Sequence, residues 1–324
     1  MPNAIRFHQT GGPEVLRWES VNVGEPGAGE VRLRQHACGL NFIDVYHRTG
    51  LYPVPLPSGI GLEGAGVIEA VGAGVAALQV GDRVAYAGGP VGAYAEVRLL
   101  PADRLIKLPD TLSFETGAAM MLQGLTAAYL LRKTYRVQAG DAVLIHAAAG
   151  GVGTIACQWA KALGAIVIGT VSNEAKAAQA RANGCDHVIL YAHEDVARRV
   201  REITQGEGVA AVYDGVGKDT WAGSLDSLRQ RGVMVSFGNA SGPVAPFDPL
   251  LLSAKGSIFV TRPTLMHYVG KRSDLEELAG ELINVVLTGK VRIAVNHRYA
   301  LKEAATAQID LEARQTTGSV VLLP

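Results

Sequence analysis

Hydrophobic and polar positions follow two different patterns along this chain. Up to about residue 110, short segments alternate apolar and polar residues between Gly, Pro and Asp, as in Val31 to His36, Ala65 to Val71 and Ala93 to Leu99. Alternation with a period of two is typical of strands that bury one face, so this part predicts a compact antiparallel β domain. After Ser113, a candidate N-cap, long apolar stretches without alternation predict helices, and the predicted boundary lies near residue 123.

Continuous apolar strands then alternate with helices of about ten residues. The predicted strands are 142–148, 165–171, 187–191, 209–216 and 233–238, and the predicted helices between them are 154–164, 173–184, 194–204 and 224–232. Continuous apolar runs indicate strands that are buried on both faces. This alternation predicts an α/β fold with a doubly wound parallel sheet. A tail from about residue 265 returns to mixed helix and strand, ends in GSVVLLP, and is expected to fold back onto the first domain.

Composition and charge exclude several classes of function. The 324 residues suffice for about two domains. Lys plus Arg and Asp plus Glu each number 30, and no basic run occurs, so neither nucleic acid nor an acidic membrane is expected as a partner. The widely spaced Cys38, Cys157 and Cys185 fit neither a disulfide framework nor a zinc cluster, so we expect reduced, buried thiols. A signal-peptide pattern and a membrane-length apolar run are both missing, so we expect a soluble, cytoplasmic protein.

The first strand of the predicted parallel sheet runs into AAAGGVG, residues 147–153, and a helix follows at once. Aligned on the dinucleotide fingerprint G-x-G-x-x-G, Ala148 replaces the first glycine, while Gly150 and Gly153 hold the second and third places. Because Gly150 lacks a Cβ, backbone can approach a pyrophosphate, and the helix N-terminus offers N–H groups to the anion. We interpret the stretch as a dinucleotide site; the alternative is a tight turn without a ligand.

The end of the next strand bears on which dinucleotide binds. An NAD site carries an acid there, whereas this strand ends in residues 169–172, GTVS. Lys176 lies one helical turn further, and Ser172 is an N-cap candidate whose hydroxyl can face the same point. Together they favour the 2′-phosphate of NADPH. Two alternatives stay open: Ser172 only caps a helix and Lys176 is a solvated surface lysine, or Glu174 reaches back to the ribose of NADH.

Several stretches, in this order along the chain, resemble one family. They are NFIDVYHRTGLY (41–52), GLEGAGVIEAVG, VGDRV, MLQGLTA (121–127), HAAAGGVG, SFGNASG (236–242), VTRPTL (260–265) and TTGSVVLLP. They cover essentially the whole chain, which resembles the medium-chain dehydrogenase/reductase superfamily and, within it, the zinc-free NADPH:quinone reductases of the zeta-crystallin type. The resemblance implies a GroES-like, mainly antiparallel β domain over residues 1–123 and 265–324, and a Rossmann domain over residues 124–264.

The resemblance also gives an interpretation of the glycine-rich stretch GLEGAG at 61–66, whose Glu63 we expect to be half-buried. Zinc alcohol dehydrogenases of the superfamily have a His in place of Leu62, a catalytic Cys in place of Asn41, and a hydroxyl relay residue in place of Ile43. Leucine cannot coordinate a metal, and Asn is a poor zinc ligand beside Cys or His. The resemblance therefore implies a zinc loop without zinc, retained because its turn and Glu63 build the cleft.

The implied activity is transfer of a hydride from NADPH to a quinone. Aromatisation drives this reaction, so the protein need only align the reactants and donate hydrogen bonds. The resemblance implies that Asn41, Tyr46 and Tyr52 line the reaction centre, and that Asn41 also contacts the cofactor. It implies further cofactor contacts from Thr126, Gly150, Gly151, Val152, Gly153, Ser172, Lys176, Tyr191, Phe237, Gly238, Asn239, Arg262 and Arg314. A homodimer is expected from the family. The alternatives are a reductase of activated C=C bonds and a non-catalytic dinucleotide-binding protein.

Overall fold

The computed structural model describes all 324 residues, and the chain divides into two compact units. The first unit consists of Met1–Leu125, Lys271–Ala279 and Ile293–Pro324, and the second of Thr126–Gly270 and Gly280–Arg292. Helices α2 (Phe114–Tyr129) and α9 (Arg272–Leu287) contain residues of both units. The helices include no candidate for a membrane span.

The first unit is mainly antiparallel β structure. Its strands are β1 (Asn3–Phe7), β2 (Arg17–Ser20), β3 (Glu30–Leu40), β4 (Ser58–Gly59), β5 (Glu63–Val71), β6 (Arg83–Ala87), β7 (Val97–Pro101), β8 (Ile106–Lys107), β15 (Val295–Ala300) and β16 (Ser319–Leu323), and its own helices are α1 (Phe42–Thr49) and α10 (Ala304–Glu312). A seven-stranded sheet has the order β15-β16-β3-β5-β6-β8, with β7 also on β3, and a three-stranded sheet has the order β2-β1-β4.

Strand β3 carries the alternation that the sequence showed. Val31 and Leu33 are fully buried in the apolar core of this unit. Arg34, between the buried Leu33 and Gln35, is exposed. Alternation of this kind results because successive side chains of a strand point to opposite faces. The C-terminal strand β16 pairs antiparallel with β3, with Val321 opposite Gly39. The tail therefore lies in the same sheet as the N-terminal segments.

The second unit contains the predicted doubly wound sheet, so the α/β fold prediction is confirmed. Its strands are β9 (Ala142–Ile145), β10 (Ile166–Val171), β11 (His187–Leu190), β12 (Val209–Asp214), β13 (Leu228–Ser236) and β14 (Phe259–Thr261). Its own helices are α3 (Gly151–Ala162), α4 (Glu174–Ala182), α5 (Val196–Ile203), α6 (Trp221–Ser227), α7 (Leu250–Ala254) and α8 (Leu265–Tyr268). All neighbours in the order β11-β10-β9-β12-β13-β14 are parallel. The winding reverses between β9 and β12, and ligands of such sheets bind at the carboxyl ends on either side of this point.

One predicted helix is too long. The sequence pattern predicted a helix over residues 224–232, but α6 ends at Ser227 and Leu228 begins β13. Leu228 pairs with Val209 and is buried in the core of the second unit. Arg231 has a left-handed φ of 59°, which an α-helix does not accommodate. Strand pairing and burial of Leu228 therefore override the helical pattern.

All three cysteines are free and buried, as predicted. Cys157 of α3 and Cys185 lie close together, with 3.4 Å between their Sγ atoms. Their mutual hydrogen bond and burial raise the pKa of the Cys157 thiol. A high thiol pKa makes a cysteine a poor nucleophile, so we assign this pair to packing.

Candidate active site

Asn41 lies where β3 passes into α1 and is 8% exposed. The backbone N–H of Asn41 donates to Asp44 Oδ2 at 2.9 Å, and together the two residues form a capping box at the N-terminus of α1. The Tyr94 hydroxyl donates to the same oxygen at 2.7 Å. Burial nevertheless raises the pKa of Asp44 to about 7. Asp44 thus fixes the position of Asn41 from behind, as a residue that orients its neighbours.

The Asn41 amide belongs to a buried row of four side chains, which we call the Asn41 chain. The Ser319 hydroxyl donates to Gln123 Oε1 at 2.7 Å, Gln123 Nε2 donates to Asn41 Oδ1 at 3.0 Å, and Asn41 Nδ2 donates to Glu63 Oε1 at 2.6 Å. The other oxygen of Glu63 accepts from the Leu122 backbone N–H at 2.7 Å. This order determines which way the Asn41 amide points. Glu63 takes one of the two Nδ2 protons, and the other can be offered to a ligand.

Glu63 is fully buried, so the expectation of a half-buried acid was wrong. Glu63 has room because Gly39 has no side chain. A Cβ on Gly39 would lie 2.2 Å from Glu63 Oε1 and 2.3 Å from the Ala118 carbonyl oxygen. Burial raises the pKa of Glu63 to about 8, against the opposing effect of the hydrogen bonds from Asn41 and Leu122. The period-two pattern at the start of β5 carries no information about a glycine on β3, so the sequence did not reveal this space.

The two predicted tyrosines lie together. Tyr46 is part of α1, Tyr52 follows the helix, and the Tyr52 backbone N–H donates to the Tyr46 carbonyl at 3.0 Å. Their rings meet edge to face with 5.1 Å between centroids, and Phe42 adds a third ring 6.1 Å from that of Tyr46. Edge-to-face aromatic pairs favour a fixed arrangement. This part of the first unit therefore combines aromatic surface with two phenolic hydroxyls.

The glycine-rich loop of the second unit has the geometry that a dinucleotide needs. Gly150 is the N-cap of α3, and Gly151, Val152 and Gly153 form its first turn, whose N–H groups have no acceptor within the helix. A Cβ on Gly153 would lie 2.2 Å from the Ala147 carbonyl oxygen, and a Cβ on Gly150 would lie 3.2 Å from the same oxygen. Ala147 itself takes the left-handed φ of 52° that the turn requires. The residues present therefore fit a diphosphate at this helix N-terminus.

The end of β10 corrects one detail of the sequence interpretation. The N-cap of α4 is Asn173, whose Oδ1 accepts from the Lys176 backbone N–H at 3.0 Å, so Ser172 is not the cap. Asn at this position competes well with Ser, and the helix begins one residue later than the pattern suggested. Ser172 remains at the end of the strand, one residue before the cap.

Two neighbours of this strand end bear on the choice of cofactor. The Tyr191 backbone N–H donates to the Val171 carbonyl at 3.3 Å, which places this 42% exposed tyrosine beside the end of β10. Glu174 lies 3.9 Å from Arg181 through their side chains, and both are exposed. The Glu174 carboxylate therefore lies on the side of α4 that carries Arg181.

The third predicted cofactor segment follows β13. Phe237 and Gly238 continue from the end of that strand, and an open pocket of about 590 Å³ lies beside it, lined among others by Asn239 and Arg262. Arg262 donates to the Ser236 carbonyl at 2.8 Å, and the Asn239 amide accepts from Arg262 at 3.2 Å in the orientation that satisfies both groups. These two residues therefore hold each other at one wall of the pocket.

The remaining predicted cofactor residues lie elsewhere. Thr126 is in α2 and is the first residue of the second unit. Arg314 belongs to the first unit, follows α10 and is exposed, with a left-handed φ of 59°. Their roles at the cofactor remain predictions.

Several buried polar residues were not singled out by the sequence analysis. They are Tyr94, Gln123 and Ser319 in the first unit and His146, Thr170, Asp214 and Ser224 in the second. Gln123, His146 and Ser319 lie inside stretches that carried the family resemblance, MLQGLTA, HAAAGGVG and TTGSVVLLP. A polar residue within an otherwise apolar run was the available signal, since buried polar groups need partners. Within the chain, no three His, Cys, Asp or Glu side chains are grouped so that they could hold a metal ion.

Comparison with known proteins agrees with this arrangement. The family model for the alcohol dehydrogenase GroES-like domain matches residues 27–110, and that for zinc-binding dehydrogenases matches residues 151–284. The chain is 56% identical to the quinone oxidoreductase of Pseudomonas aeruginosa, with 100% of both chains covered. It is 49% identical to the 2-haloacrylate reductase of a Burkholderia species, with 100% of this chain and 99% of the relative covered. The crystal structure of Escherichia coli quinone oxidoreductase complexed with NADPH superposes with a TM-score of 0.98 at 49% identity, covering 99% of this chain and 100% of that one. The chain therefore belongs to the quinone oxidoreductase family of the medium-chain dehydrogenase/reductase superfamily.

Proposed function

We propose that this chain is an NADPH-dependent reductase of quinones. Support for the reaction comes from full-length relatives named quinone oxidoreductase, and support for the cofactor comes from the NADPH in the Escherichia coli structure. Within this chain, the observation that carries the cofactor assignment is the end of β10. Val171 and Ser172 bring no carboxylate there, and Lys176 follows in the first turns of α4.

The second unit binds and orients the dinucleotide. The N–H groups of Gly151 and Val152 meet the diphosphate at the start of α3. Lys176, Ser172 and the ring of Tyr191 surround the 2′-phosphate, where charge-assisted hydrogen bonds are worth about 1.5–3 kcal/mol each. When bound, NADPH supplies the hydride that the quinone accepts.

The first unit binds the quinone. The edge-to-face rings of Tyr46 and Tyr52 provide aromatic contacts against which a quinone ring can pack. Their hydroxyls and the second Nδ2 proton of Asn41 donate to the oxygen on which negative charge develops. Donors that are already oriented stabilise that charge without reorganisation, and the Asn41 chain provides this orientation. One hydride and one proton convert the quinone to the hydroquinone.

The proposal includes independence from zinc. The side chain of Leu62 is buried and has no ligand atom, and the Asn41 amide already bonds to Glu63 and Gln123. We expect activity to survive dialysis against a strong chelator. Zinc near one equivalent per chain by elemental analysis, lost together with activity, would contradict this part of the proposal.

The cofactor assignment is tested with both nicotinamide cofactors. We expect at least a tenfold higher kcat/KM for NADPH than for NADH, since about 1.4 kcal/mol already gives that ratio. Lys176→Ala should raise the KM for NADPH and leave the KM for NADH nearly unchanged. Arg181→Ala on the same helix is the matched control, because it removes a cation that pairs with Glu174. Equal use of both cofactors by the wild type would overturn the assignment.

The acceptor is tested with a panel. Electron-poor quinones should be reduced fastest, and simple alcohols should not be oxidised measurably. The panel includes a 2-haloacrylate and an enone, because a relative at 49% identity is named for the former. A kcat/KM for either that exceeds the best quinone would replace quinone reduction with reduction of activated C=C bonds. A cytoplasmic location and a homodimer stay predictions; sedimentation tests the second.

A further inference from the structure

The second unit contains a buried row of four polar side chains that the proposed function does not use. Thr170 Oγ1 lies 2.9 Å from His146 Nδ1, His146 Nε2 lies 2.9 Å from Ser224 Oγ, and the Ser224 hydroxyl donates to Asp214 Oδ2 at 2.8 Å. None of the four residues is more than 3% exposed. We call this row the His146 chain. A fully buried polar network is retained only where each group has a partner, as here.

The hydrogen bonds of the His146 chain all point the same way. Ser224 gives its one hydroxyl proton to Asp214, so it must accept from His146, and Nε2 of His146 therefore carries a proton. Burial lowers the pKa of His146, which favours the neutral ring, and Nδ1 then accepts from the Thr170 hydroxyl. Each side chain therefore donates to the next one, from Thr170 through His146 and Ser224 to the final acceptor Asp214.

The His146 chain joins the carboxyl ends of three strands. His146 follows β9, Thr170 lies near the end of β10, and Asp214 ends β12, so the chain crosses the point where the winding reverses. Ser224 connects the three strands to α6. His146 directly precedes the glycine-rich loop, and the backbone of Thr170 and of Asp214 bonds to the loops that carry predicted cofactor residues.

At its first end, the chain holds the glycine-rich loop. The Thr170 carbonyl accepts from the Ala148 backbone N–H at 3.1 Å. A Cβ on Gly169, next to Thr170, would lie 2.7 Å from the Ala148 side chain, so strand and loop are in close contact. A shift of Thr170 therefore moves the turn that leads to Gly150 and α3.

At its other end, the chain holds the segment after β13. Asp214 Oδ1 accepts from the N–H groups of Val216 and Gly217 at 2.8 and 3.0 Å, and the Thr220 hydroxyl donates to Oδ2 at 2.7 Å. The Asp214 carbonyl accepts from the Phe237 N–H at 2.8 Å. Asp214 thus shapes its own loop through its carboxylate and fixes the start of the segment 237–239 through its backbone carbonyl.

We propose that the His146 chain positions the two cofactor loops, residues 147–153 and 237–239, relative to each other. This role rests on the proposed function, since it assumes that both loops contact one dinucleotide. The four side chains act as positioning residues: they touch neither reactant and act through the backbone of the loops. Breaking one bond lets the loops move independently and raises the dissociation constant of NADPH without changing the chemical step.

The experiment compares variants that each remove one hydroxyl. Thr170→Val keeps the branched shape and the backbone bond to Ala148 but removes the donor to His146. Ser224→Ala breaks the link between His146 and Asp214. Ser227→Ala is the matched control, because Ser227 is equally buried on the same helix and its hydroxyl donates only to the Gly223 carbonyl at 2.7 Å.

NADPH binding, steady-state kinetics and Tm are measured for each variant. Thr170→Val and Ser224→Ala should raise the NADPH dissociation constant about three- to tenfold, the size expected for one lost hydrogen bond. Their kcat at saturating NADPH should stay within about twofold of the wild type, because the chain acts before the chemical step. Ser227→Ala should lower Tm and leave the dissociation constant unchanged. A dissociation constant unchanged in all three variants, with Tm lowered in each, would show that the chain only stabilises the fold.

Hydrogen exchange in the cofactor-free protein separates this inference from the proposed function. Thr170→Val and Ser224→Ala should speed exchange of the amides in both loops, and Ser227→Ala should not. If the wild type fails to bind NADPH, the proposed function falls, while faster exchange in both loops still supports the positioning role. If exchange stays as slow as in the wild type, the positioning role falls whatever NADPH does.

Discussion

Each unit contains one buried row of four side chains that starts at a hydroxyl and ends at a carboxylate. The Asn41 chain runs from Ser319 to Glu63, and the His146 chain runs from Thr170 to Asp214. The terminal carboxylates of the two chains differ in the number of hydrogen bonds that they accept. Glu63 accepts two hydrogen bonds, whereas Asp214 accepts four, two from backbone and two from hydroxyls. The first chain fixes a single amide, and the second fixes whole loops.

The titrating group also differs. In the Asn41 chain the middle members are amides, and the terminal carboxyl, Glu63, has its pKa raised by burial to about 8. In the His146 chain the middle member is an imidazole, and burial lowers its pKa. Burial disfavours the charged form of both groups, and this is why the shifts have opposite signs. The two units should therefore weaken at opposite ends of the pH range.

The largest expected effect comes from filling the space that Glu63 occupies. In Gly39→Ala, the new Cβ would lie 2.2 Å from Glu63 Oε1, so the carboxyl must move and the Asn41 chain must break. We expect a loss of about 3 kcal/mol in stability, near the top of the usual range for an overpacked core, and loss of most quinone reductase activity. Thermal unfolding and kcat/KM measure the two effects.

Gly223→Ala provides the control for this substitution. Gly223 lies in α6, and a Cβ there would have no atom within 4 Å. Replacing a helical glycine in open space should stabilise by up to about 1 kcal/mol. Equal Tm values for the two variants would show that Glu63 does not need the space beside Gly39.

Glu63→Gln tests the alkaline side of the comparison. A carboxyl whose folded pKa is raised from 4.5 to about 8 contributes stability that is fully present below pH 4.5 and lost as pH rises through 8. In the wild type the free energy of unfolding should fall across this window, with part of the fall below pH 7 due to Asp44. The glutamine cannot ionise, so the fall should be smaller in the variant.

The same variant should also reduce turnover. Both oxygens of Glu63 accept from N–H groups, of Asn41 and of Leu122. In Glu63→Gln the new NH2 group must face one of these two donors, and the Asn41 amide loses its single orientation. We expect kcat/KM for quinone to fall about tenfold, as for a lost buried hydrogen bond. Glu69→Gln is the control, because Glu69 lies on the same strand but pairs with Arg34 at the surface. If the free energy of unfolding depends on pH in Glu63→Gln as it does in the wild type, the alkaline loss of stability is not due to Glu63.

His146→Gln tests the acid side. A group with a folded pKa below its ordinary 6.5 contributes stability that is present above pH 6.5 and lost as pH falls through the folded pKa. The wild type should therefore lose stability below pH 6.5, and Asp214, the charged group that faces the ring through Ser224, moderates the loss. Gln cannot gain a proton, so its acid-side slope should be shallower. His187→Gln, at an exposed histidine of β11, should keep the wild-type slope.

Ser319→Ala should have the smallest effect. It removes the first donor of the Asn41 chain and leaves Gln123 Oε1 without that bond, at a cost of about 1 kcal/mol. A double-mutant cycle with Glu63→Gln measures whether the two ends of the chain are coupled. Strictly additive free energies would show that the four side chains act as separate pairs.

The sequence predicted the regular parts of the fold well. Strands buried on both faces, such as β9 and β12, have no polar face, and their helices follow at regular intervals, so the parallel sheet could be inferred from the apolar runs alone. The end of α6 could not, because Leu228 leaves the helix to pair with Val209. That pairing depends on a strand that the local pattern does not contain.

Only those parts of the candidate site that lie within one segment of the sequence could be predicted. The loop from Gly150 to Gly153 is local, and the structure forms it at the expected helix N-terminus. The Asn41 chain is assembled from four distant segments, so no local pattern shows that Gln123 or Ser319 meets Asn41. The cap of α4 was assigned one residue too early because Ser172 and Asn173 are both good N-cap residues. Hydrogen-bond geometry distinguishes them, and composition does not.

The pairing of β16 with β3 has a consequence for how the protein is made. All the strands of the second unit lie between Ala142 and Thr261 in the sequence, so its sheet can form while the ribosome is still adding residues. The first unit must wait for Ser319, because its central strand β3 pairs with a segment synthesised after every strand of the second unit. Closing so long a stretch of chain is slow. We therefore expect the nucleotide-binding fold to be complete on the nascent chain before Asn41 acquires its orientation.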